Sequence, residues 1–314
     1  MNLIFGTITV GQQTNEEETI VMINTAIENG IKELDTAYVY NEGECERILG
    51  QVLAPIDRSS YRIATKVNPR ITGKLDRAAI LSQFTESLER LQTDFVEVLY
   101  LHFPDNIVPL EESLSTCNEL YQQGKIKELG VSNFPASMVE EACELCKKNG
   151  WLMPTVYEGV YNVLSRNVEG ELFDTIRKYG LRFTAYNPLA GGMLTGKYSS
   201  LEDFPSDGRF AQRTSYKKRY WRQSFFDAVN NLRDICEKYD ISMVDAAFRW
   251  LAYHSCMDST RGDAIIVGSS KPSQLIQNIE TIAQGPLPDE VVRVYNDSWQ
   301  ICRADAPPYY KFMN

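Results

Sequence analysis

The sequence predicts a (β/α)8 barrel, or TIM barrel, that forms a single domain over residues 1–314. Short β-branched runs alternate with amphipathic stretches along the chain, and the runs are apolar enough for burial on both faces, which indicates parallel pairing. Eight such units in about 300 residues fit one closed barrel. An open doubly wound sheet is the alternative. Such a sheet is expected to have a Gly-rich phosphate-binding loop after its first strand, but GTITVGQQ lacks the GxGxxG pattern.

Each strand-like run precedes a helical pattern. Eight strand-like runs are assigned to the barrel, and the first of them is alternatively interpreted as a cap or a lead-in strand. In chain order, the strand-like runs and the helical patterns that follow them are LIFGT with 16–29, IKELDT with 44–54, YRIATKV with 77–91, VEVLYLHF with 110–123, IKELGVS with 135–149, MPTVYE with 167–179, LRFTAYN with 223–239 and 242–254, and AIIVGSS with 272–283.

Helix boundary signals agree with this assignment. Asn15 is placed to cap the first helix, and three glutamates follow it, where negative charge suits the helix dipole. Ser132, Asn133 and Pro135 are expected to cap the helix over 135–149, which should end at Gly150.

Composition limits the possible functions. The chain is 43% hydrophobic and 24% charged, which is ordinary for a soluble globular protein. It has no apolar run of about 18 residues and no basic N-terminal region, so neither a membrane span nor a signal peptide is expected. Seven scattered cysteines indicate free thiols and a cytoplasmic location. A net charge of −10 argues against nucleic acid as a partner.

One basic segment stands out in this acidic chain. The stretch RFAQRTSYKKRYWR, residues 209–222, contains six cationic side chains and no acid. It is either a solvated face or an anion-binding site. The cations are Arg209, Arg213, Lys217, Lys218, Arg219 and Arg222.

Polar groups follow almost every predicted strand. In a barrel of this kind the active site lies at the carboxyl ends of the strands, so these groups should converge on one rim. In chain order they are Asp35, Tyr38 and Tyr40, then Lys66, His102, Ser132 and Asn133, Glu158, Tyr186 and Asn187, and Gly268, Ser269 and Ser270.

This set indicates proton and hydride chemistry at a carbonyl group. No metal site is predicted, because no cluster has metal-ligand spacing, and no Ser-His pair lies in a nucleophile elbow. A lysine lowers the pKa of a nearby phenol, and an aspartate keeps that lysine charged. The phenol can then protonate a carbonyl oxygen that a histidine orients. Asp35 is expected to position Lys66, and one of the two tyrosines is the acid.

Three longer segments, GVSNF, AYNPLAGGMLTGKY and GSSKPSQLIQN, make the chain resemble the aldo-keto reductases over nearly its whole length. The resemblance implies a catalytic tetrad of Asp35, Tyr40, Lys66 and His102. The family's five-residue step from Asp to Tyr selects Tyr40 and leaves Tyr38 as a wall of the substrate pocket.

The resemblance also implies NADPH/NADP+ as the cofactor. Tyr186 is then the ring that stacks on the nicotinamide, and residues 187–197 form the loop that wraps the pyrophosphate. The predicted cofactor-binding residues, to which the basic segment contributes Arg209 and Arg219, are Asp35, Ser132, Asn133, Glu158, Tyr186, Asn187, Leu189, Gly191, Lys197, Arg209, Arg219, Gly268, Ser269, Lys271, Gln274, Gln277 and Asn278.

Within the family, YLHFPD, AYNPLAGG, KKRYW and a Pro-Tyr pair near the C-terminus resemble the aflatoxin-aldehyde reductase branch. This resemblance implies NADPH, a cytosolic location and a homodimer.

Two positions depart from the family pattern. Glu158 stands where the family usually has Gln, and an ionised Glu158 would favour the oxidised, cationic nicotinamide. The alternative is that a nearby Lys or Arg cancels its charge. Gln274 stands where many members have an Arg that grips the 2′-phosphate, although the branch resembled here also has Gln. The basic segment 209–222 is a candidate to bind the 2′-phosphate in place of that Arg.

The predicted function is the NADPH-dependent reduction of an aldehyde or ketone. A cofactor-sensing regulatory subunit of a membrane channel and a barrel with an inactive site are alternatives. The substrate is expected to be a small carbonyl compound, either an intermediate of secondary metabolism or a target of detoxification. Arg219 or Arg222 would meet a polar oxygen of the substrate or hold cofactor phosphates. The expected pocket residues are Tyr38, Tyr40, His102, Phe103, Trp221, Arg222 and the C-terminal APPYYKFMN.

Overall fold

In the computed structural model, which describes residues 1–310, eight parallel strands close into a barrel in sequence order. The predicted (β/α)8 fold is therefore confirmed. The last strand pairs with the first, with Asn2 opposite Ala264 and Phe5 opposite Val267. The strands are β1 (Asn2–Gly6), β2 (Glu33–Asp35), β3 (Arg62–Val67), β4 (Val96–Leu101), β5 (Ile126–Ser132), β6 (Pro154–Val160), β7 (Arg182–Tyr186) and β8 (Ala264–Val267).

The first strand corrects one expectation from the sequence. LIFGT is neither a cap nor a lead-in, because β1 pairs with both β2 and β8 and its Ile4 and Phe5 are buried. The eight barrel strands thus include this run, and without it the sheet would not close.

Helices surround the barrel, and the predicted helical patterns coincide with helices to within a few residues. The short α3, α8 and α9 and the terminal α13 were not predicted. The helices are α1 (Glu16–Glu28), α2 (Glu44–Leu53), α3 (Pro69–Thr72), α4 (Arg77–Leu91), α5 (Leu110–Gln122), α6 (Ala136–Asn149), α7 (Glu171–Tyr179), α8 (Gly208–Gln212), α9 (Thr214–Tyr220), α10 (Gln223–Lys238), α11 (Met243–Tyr253), α12 (Pro272–Ala283) and α13 (Asp289–Cys302). None of the helices within residues 1–310 is long and apolar enough to cross a membrane.

The helix caps show which polar groups are left for the site. Asn15 forms a capping box with Glu18 at the start of α1, as its position predicts. Ser132 and Asn133 do not cap α6, contrary to expectation. The backbone N–H of Ala136 instead donates to the hydroxyl of Tyr309, at 3.0 Å. The side chains of Ser132 and Asn133 are therefore not part of the helix cap and lie at the carboxyl end of β5.

The amino ends of the strands carry a network of ion pairs. Arg62 on β3 lies 3.1 Å from Glu33 on β2 and 2.6 Å from Glu128 on β5. Glu128 also pairs with Arg182 on β7. Four strands are thereby linked at the end of the barrel opposite to the predicted active site.

The packing of α2 on α4 requires a residue without a side chain at position 50. A Cβ atom added to Gly50 would lie 2.2 Å from the carbonyl oxygen of Arg90. Since this neighbour is backbone, it cannot move aside as a flexible side chain can. The two helices therefore approach closely only because residue 50 is glycine.

We expect Gly50→Ala to destabilise the protein. Alanine favours a helix by about 1 kcal/mol over glycine, but the forced separation of α2 and α4 should cost about 1–3 kcal/mol. Thermal unfolding should show a lower Tm for this variant. Gln51→Ala, at an exposed position of the same helix, is the control and should leave Tm almost unchanged. A Gly50→Ala protein at least as stable as the wild type would contradict the close approach.

Candidate active site

A cavity of about 430 Å³ opens at the carboxyl ends of the barrel strands. The basic segment contributes to its wall through Arg209 and Arg213. The structure therefore brings most of the predicted strand-end groups into one pocket. The predicted site residues that line it are Asp35, Tyr40, His102, Phe103, Asn133, Glu158, Tyr186, Asn187, Leu189, Arg209 and Gly268.

Lys66 is a fully buried ammonium that bonds Asp35, a residue of the cavity wall. Its Nζ donates to Oδ1 of Asp35 and, at 2.9 Å, to the backbone carbonyl of Thr36. Burial alone would lower the pKa of Lys66, but the carboxyl groups of Asp35 and Glu158 outweigh burial and raise it. Lys66 therefore stays charged throughout the neutral range.

The ring of Tyr40 lies beside this ammonium, with its centroid 5.5 Å from Lys66 Nζ. Burial raises the pKa of Tyr40 above its ordinary value, and the charge of Lys66 offsets only part of that shift. Lys66 lowers the pKa of the phenol, as expected, but burial raises that pKa by more. Tyr40 is a neutral phenol that carries its proton at neutral pH.

His102 follows β4 and faces Tyr40, with the two ring centroids 6.2 Å apart. Burial and the charges of Lys66 and Arg70 hold the pKa of His102 well below its usual range, so the imidazole is neutral. The Asn68 amide is 3.4 Å from Nδ1 of His102 and can only donate there. Nδ1 is then the acceptor, and the ring proton is on Nε2.

Asn68 and Arg70 are site residues that the sequence did not indicate. The Asn68 side-chain oxygen accepts from the backbone N–H of Arg70 at 2.9 Å, which fixes the amide so that its nitrogen faces His102. Arg70 lies 4.0 Å from the centroid of the Phe103 ring. Both residues follow the strand of Lys66 directly, and the polar NPR sequence at a strand end was the available signal.

Asn133 joins three strand ends across the pocket. Its backbone is left-handed, with φ of 60°, a conformation that asparagine tolerates better than most residues. Its side-chain nitrogen donates to the His102 carbonyl at 3.0 Å and to Ser132 Oγ at 2.9 Å. Its oxygen accepts from the Tyr186 hydroxyl at 2.8 Å, which holds the Tyr186 ring at the cavity wall.

Asn187 shapes the loop after β7. It also has a left-handed backbone, with φ of 62°, and its side-chain oxygen accepts from the N–H of Gly191 at 2.7 Å. Its side-chain nitrogen donates to the Tyr220 hydroxyl at 2.7 Å, which ties the loop to the end of α9. The loop is therefore fixed at the cavity edge, where residues 187–197 were expected to wrap a pyrophosphate.

Glu158 lies on β6 with its carboxyl group buried at the cavity wall. Its Oε2 is 3.3 Å from Lys66 Nζ, although no hydrogen bond is aligned to that oxygen. Burial and the neighbouring Asp35 carboxylate raise the pKa of Glu158 well above its usual range. A lysine therefore lies beside Glu158, as the alternative weighed from the sequence expected, but this lysine also bonds Asp35 and does not cancel the charge of both carboxyl groups.

Tyr38 is not a pocket wall, contrary to expectation. Its hydroxyl donates to Glu86 of α4 at 2.7 Å, and the guanidinium of Arg90 lies 4.4 Å from its ring centroid. The chain turns sharply between β2 and the 3-10 helix Tyr40–Gly43, so that Tyr38 and Tyr40 point to different sides.

Two further pocket residues expected from the sequence also lie elsewhere. Trp221 packs against aromatic rings, including Phe210 at 5.0 Å between centroids, and its indole donates to the Leu201 carbonyl. Arg222 donates to the Lys218 carbonyl and lies 3.9 Å from Asp305. Both residues follow the end of α9, beyond the part of the basic segment that reaches the cavity.

The other predicted cofactor residues are outside the cavity wall. Ser269 and Asn278 are buried near the start and middle of α12, and Arg219 is buried at the end of α9. Residues 311–314 of the predicted C-terminal pocket wall lie outside the described residues. Ser132, which is buried at the end of β5, and Gly191 in the loop after β7 are also outside the cavity wall. The same holds for four exposed residues, which are Lys197 and, on or beside α12, Lys271, Gln274 and Gln277.

Comparison with known proteins agrees with this geometry. Residues 2–299 match the aldo/keto reductase family. The chain is 39% identical to aflatoxin B1 aldehyde reductase member 2 of Rattus norvegicus over 98% of this chain and 87% of that protein. It is 40% identical to aflatoxin B1 aldehyde reductase member 4 of Homo sapiens, over 98% of this chain and 96% of that protein. It is 33% identical to aldo-keto reductase pigE of Monascus ruber, over 95% and 91% of the two chains.

These similarities extend along almost the whole chain, and they confirm the resemblance to the aflatoxin-aldehyde reductase branch that the sequence motifs indicated. Taken with the closed barrel and the strand-end pocket, they lead to one conclusion: the chain belongs to the aldo/keto reductase family, whose members are generally NAD(P)H-dependent oxidoreductases acting on carbonyl compounds.

Proposed function

We propose that this protein reduces an aldehyde or ketone to an alcohol with NADPH, and that Tyr40 donates the proton. The observation that carries the proposal is the neutral phenol of Tyr40 beside the buried ammonium of Lys66, in a cavity that His102 also lines. A phenol in this position has a proton to give and a cation ready to stabilise the phenolate that remains.

The residues present fit a nicotinamide cofactor. Asn133 and Glu158 offer polar atoms to the nicotinamide carboxamide, and Oε2 of Glu158 has no aligned hydrogen bond of its own. Arg209 and Arg213 bring positive charge to the cavity wall, which suits phosphates, in a chain of net charge −10. The residues at the start of α12 would receive the adenosine end. When bound, NADPH supplies the hydride.

The side chains have distinct roles in the proposed reaction. The Nε2–H of His102 donates a hydrogen bond to the carbonyl oxygen of the substrate and orients it. As hydride reaches the carbonyl carbon, that oxygen gains negative charge and takes the phenolic proton of Tyr40. Lys66 stabilises the resulting phenolate, and Asp35 holds Lys66 in its charged form and in place.

The cavity favours an apolar or aromatic carbonyl compound. Phe103 stacks on His102 with 4.7 Å between ring centroids, and Val39, Leu189 and Tyr216 also line the wall. Relatives that are named aldehyde reductases support an aldehyde as one such substrate.

We further propose that the chain works as a single domain in the cytoplasm, which its seven unbonded thiols support. A homodimer, as the branch implies, is part of the same proposal.

Tyr40→Phe should abolish most of the turnover, while NADPH should still bind. Removing a placed general acid costs about 100-fold or more in turnover, while the cofactor contacts remain. The measurements are the rate of NADPH oxidation with an aromatic aldehyde and the NADPH dissociation constant from fluorescence titration.

Tyr38→Phe is the matched control for this experiment. It removes a hydroxyl that donates to Glu86 outside the cavity, so both turnover and KM should stay near the wild-type values. Near-normal turnover in Tyr40→Phe would refute the assignment. NADPH binding without turnover in the wild type would instead favour a cofactor-sensing subunit.

Arg209→Ala should weaken the binding of NADPH more than the binding of NADH if the basic segment contacts the 2′-phosphate. A charge-assisted hydrogen bond to a phosphate is worth about 1.5–3 kcal/mol when fully formed, so a loss of about tenfold is expected at this partly exposed position. The wild-type preference for NADPH should also shrink with added salt.

Lys217→Ala is the control, because Lys217 Nζ lies 4.0 Å from the centroid of the Phe204 ring and does not line the cavity. Its ratio of NADPH to NADH dissociation constants should equal that of the wild type. Equal losses for both cofactors in Arg209→Ala would mean that Arg209 does not read the 2′-phosphate.

A further inference from the structure

Glu158 is a buried ionisable group of the site whose gain or loss of a proton the proposed reaction does not use. Its carboxyl group is 3% exposed and lines the cavity wall. Its Oε2 faces Lys66 Nζ at 3.3 Å but has no aligned hydrogen bond. A buried carboxyl group with an unsatisfied oxygen costs free energy, and such a group in a ligand cavity points to a ligand or a proton that satisfies it.

Two carboxyl groups compete here for one cation. Lys66 has three N–H groups, of which one bonds Asp35 and one bonds the Thr36 carbonyl. Asp35 therefore accepts an aligned hydrogen bond from the ammonium, whereas Glu158 makes only the longer contact of 3.3 Å. If both carboxyl groups were ionised, the cluster would bury a net negative charge. One proton on Glu158 restores neutrality, as happens when carboxylates share a site.

Among the described residues, Lys66 is the cation that acts most directly on the carboxyl group of Glu158. The titratable groups that face Glu158 are Asp35 on β2, Lys66 on β3, Tyr100 on β4, Tyr186 on β7 and Tyr40 in the turn after β2. The three phenols all have a raised pKa and are neutral. The proton balance of Glu158 thus depends on Asp35, on Lys66 and on whatever charge a ligand brings into the cavity.

We infer that Glu158 is a proton-linked sensor of the cofactor's redox state, protonated beside the reduced nicotinamide and ionised beside the oxidised, cationic one. This inference rests on the proposed function, since it assumes that a nicotinamide binds in this cavity. A protonated Glu158 offers one donor and one acceptor, as a glutamine amide does, whereas the carboxylate offers acceptors only. A cation placed nearby favours the carboxylate.

The linkage has a definite sign. When the oxidised cofactor binds, the O–H bond of Glu158 breaks, the electron pair stays on the carboxylate, and buffer takes up the proton. Binding of NADP+ therefore tightens relative to NADPH as the pH rises. The effect operates between the pKa of Glu158 in the oxidised complex and its higher pKa in the reduced complex. Within that window one proton is worth up to about tenfold in affinity per pH unit.

The test is the dissociation constants of NADP+ and NADPH for wild type and Glu158→Gln, measured by fluorescence titration between about pH 6 and 9. The 2′-phosphate titrates in both cofactors, so its contribution cancels in their ratio. In the wild type the ratio of the NADP+ constant to the NADPH constant should fall with rising pH. In Glu158→Gln, which keeps the size and cannot ionise, the ratio should be flat.

Proton release gives a second, independent readout. Calorimetric binding of NADP+ in two buffers of different ionisation enthalpy should show more proton release for the wild type than for Glu158→Gln, since the release from the 2′-phosphate is common to both proteins. A wild-type ratio that does not change with pH, or an equal slope in the variant, would overturn the inference while both cofactors still bind. Failure of the wild type to bind either cofactor would overturn the proposed function and this inference with it.

Discussion

The site depends on one buried ammonium and on the carboxylate that keeps it charged. Lys66 has no exposed surface, and burial by itself would favour its neutral amine. Asp35 reverses this preference through a hydrogen bond across adjacent strands. The same ammonium lies beside the Tyr40 ring and near Glu158, so its charge lowers the pKa of both groups against the effect of burial. Loss of this one charge would change the electrostatics of the whole pocket.

The residues that link strands to one another and the residues of the active site lie at opposite ends of the barrel. At the amino ends of the strands, Arg62, Glu33 and Glu128 form ion pairs that link β3 to its neighbour β2 and to β5. At the carboxyl ends the chain places groups whose charge or backbone conformation is costly. Two asparagines, Asn133 and Asn187, adopt left-handed backbone at strand ends, and each uses its side chain to fix a neighbouring loop or strand. Strain of this kind is commonly found at functional sites.

The features that periodicity and strand ends determine could be predicted from the sequence, whereas those that depend on irregular segments could not. Convergence of Asp35, Lys66 and His102 results from parallel strands, whose ends must meet. The direction of Tyr38 depends on the sharp turn after β2, which no periodicity encodes, and Trp221 was misplaced because α9 had no predicted boundary. The raised pKa of Tyr40 could not be predicted either, because burial depends on packing from several elements.

The most direct measurement for the central role of the Lys66 charge is the single-turnover rate of hydride transfer in Lys66→Met. Asp35 and Glu158 can share a proton once the ammonium is gone, so the fold should survive, and retained NADPH binding would verify that it does. The charge model predicts a rate at least about 100-fold lower, the usual worth of assisted proton transfer. A near-wild-type rate in a variant that binds NADPH normally would contradict it.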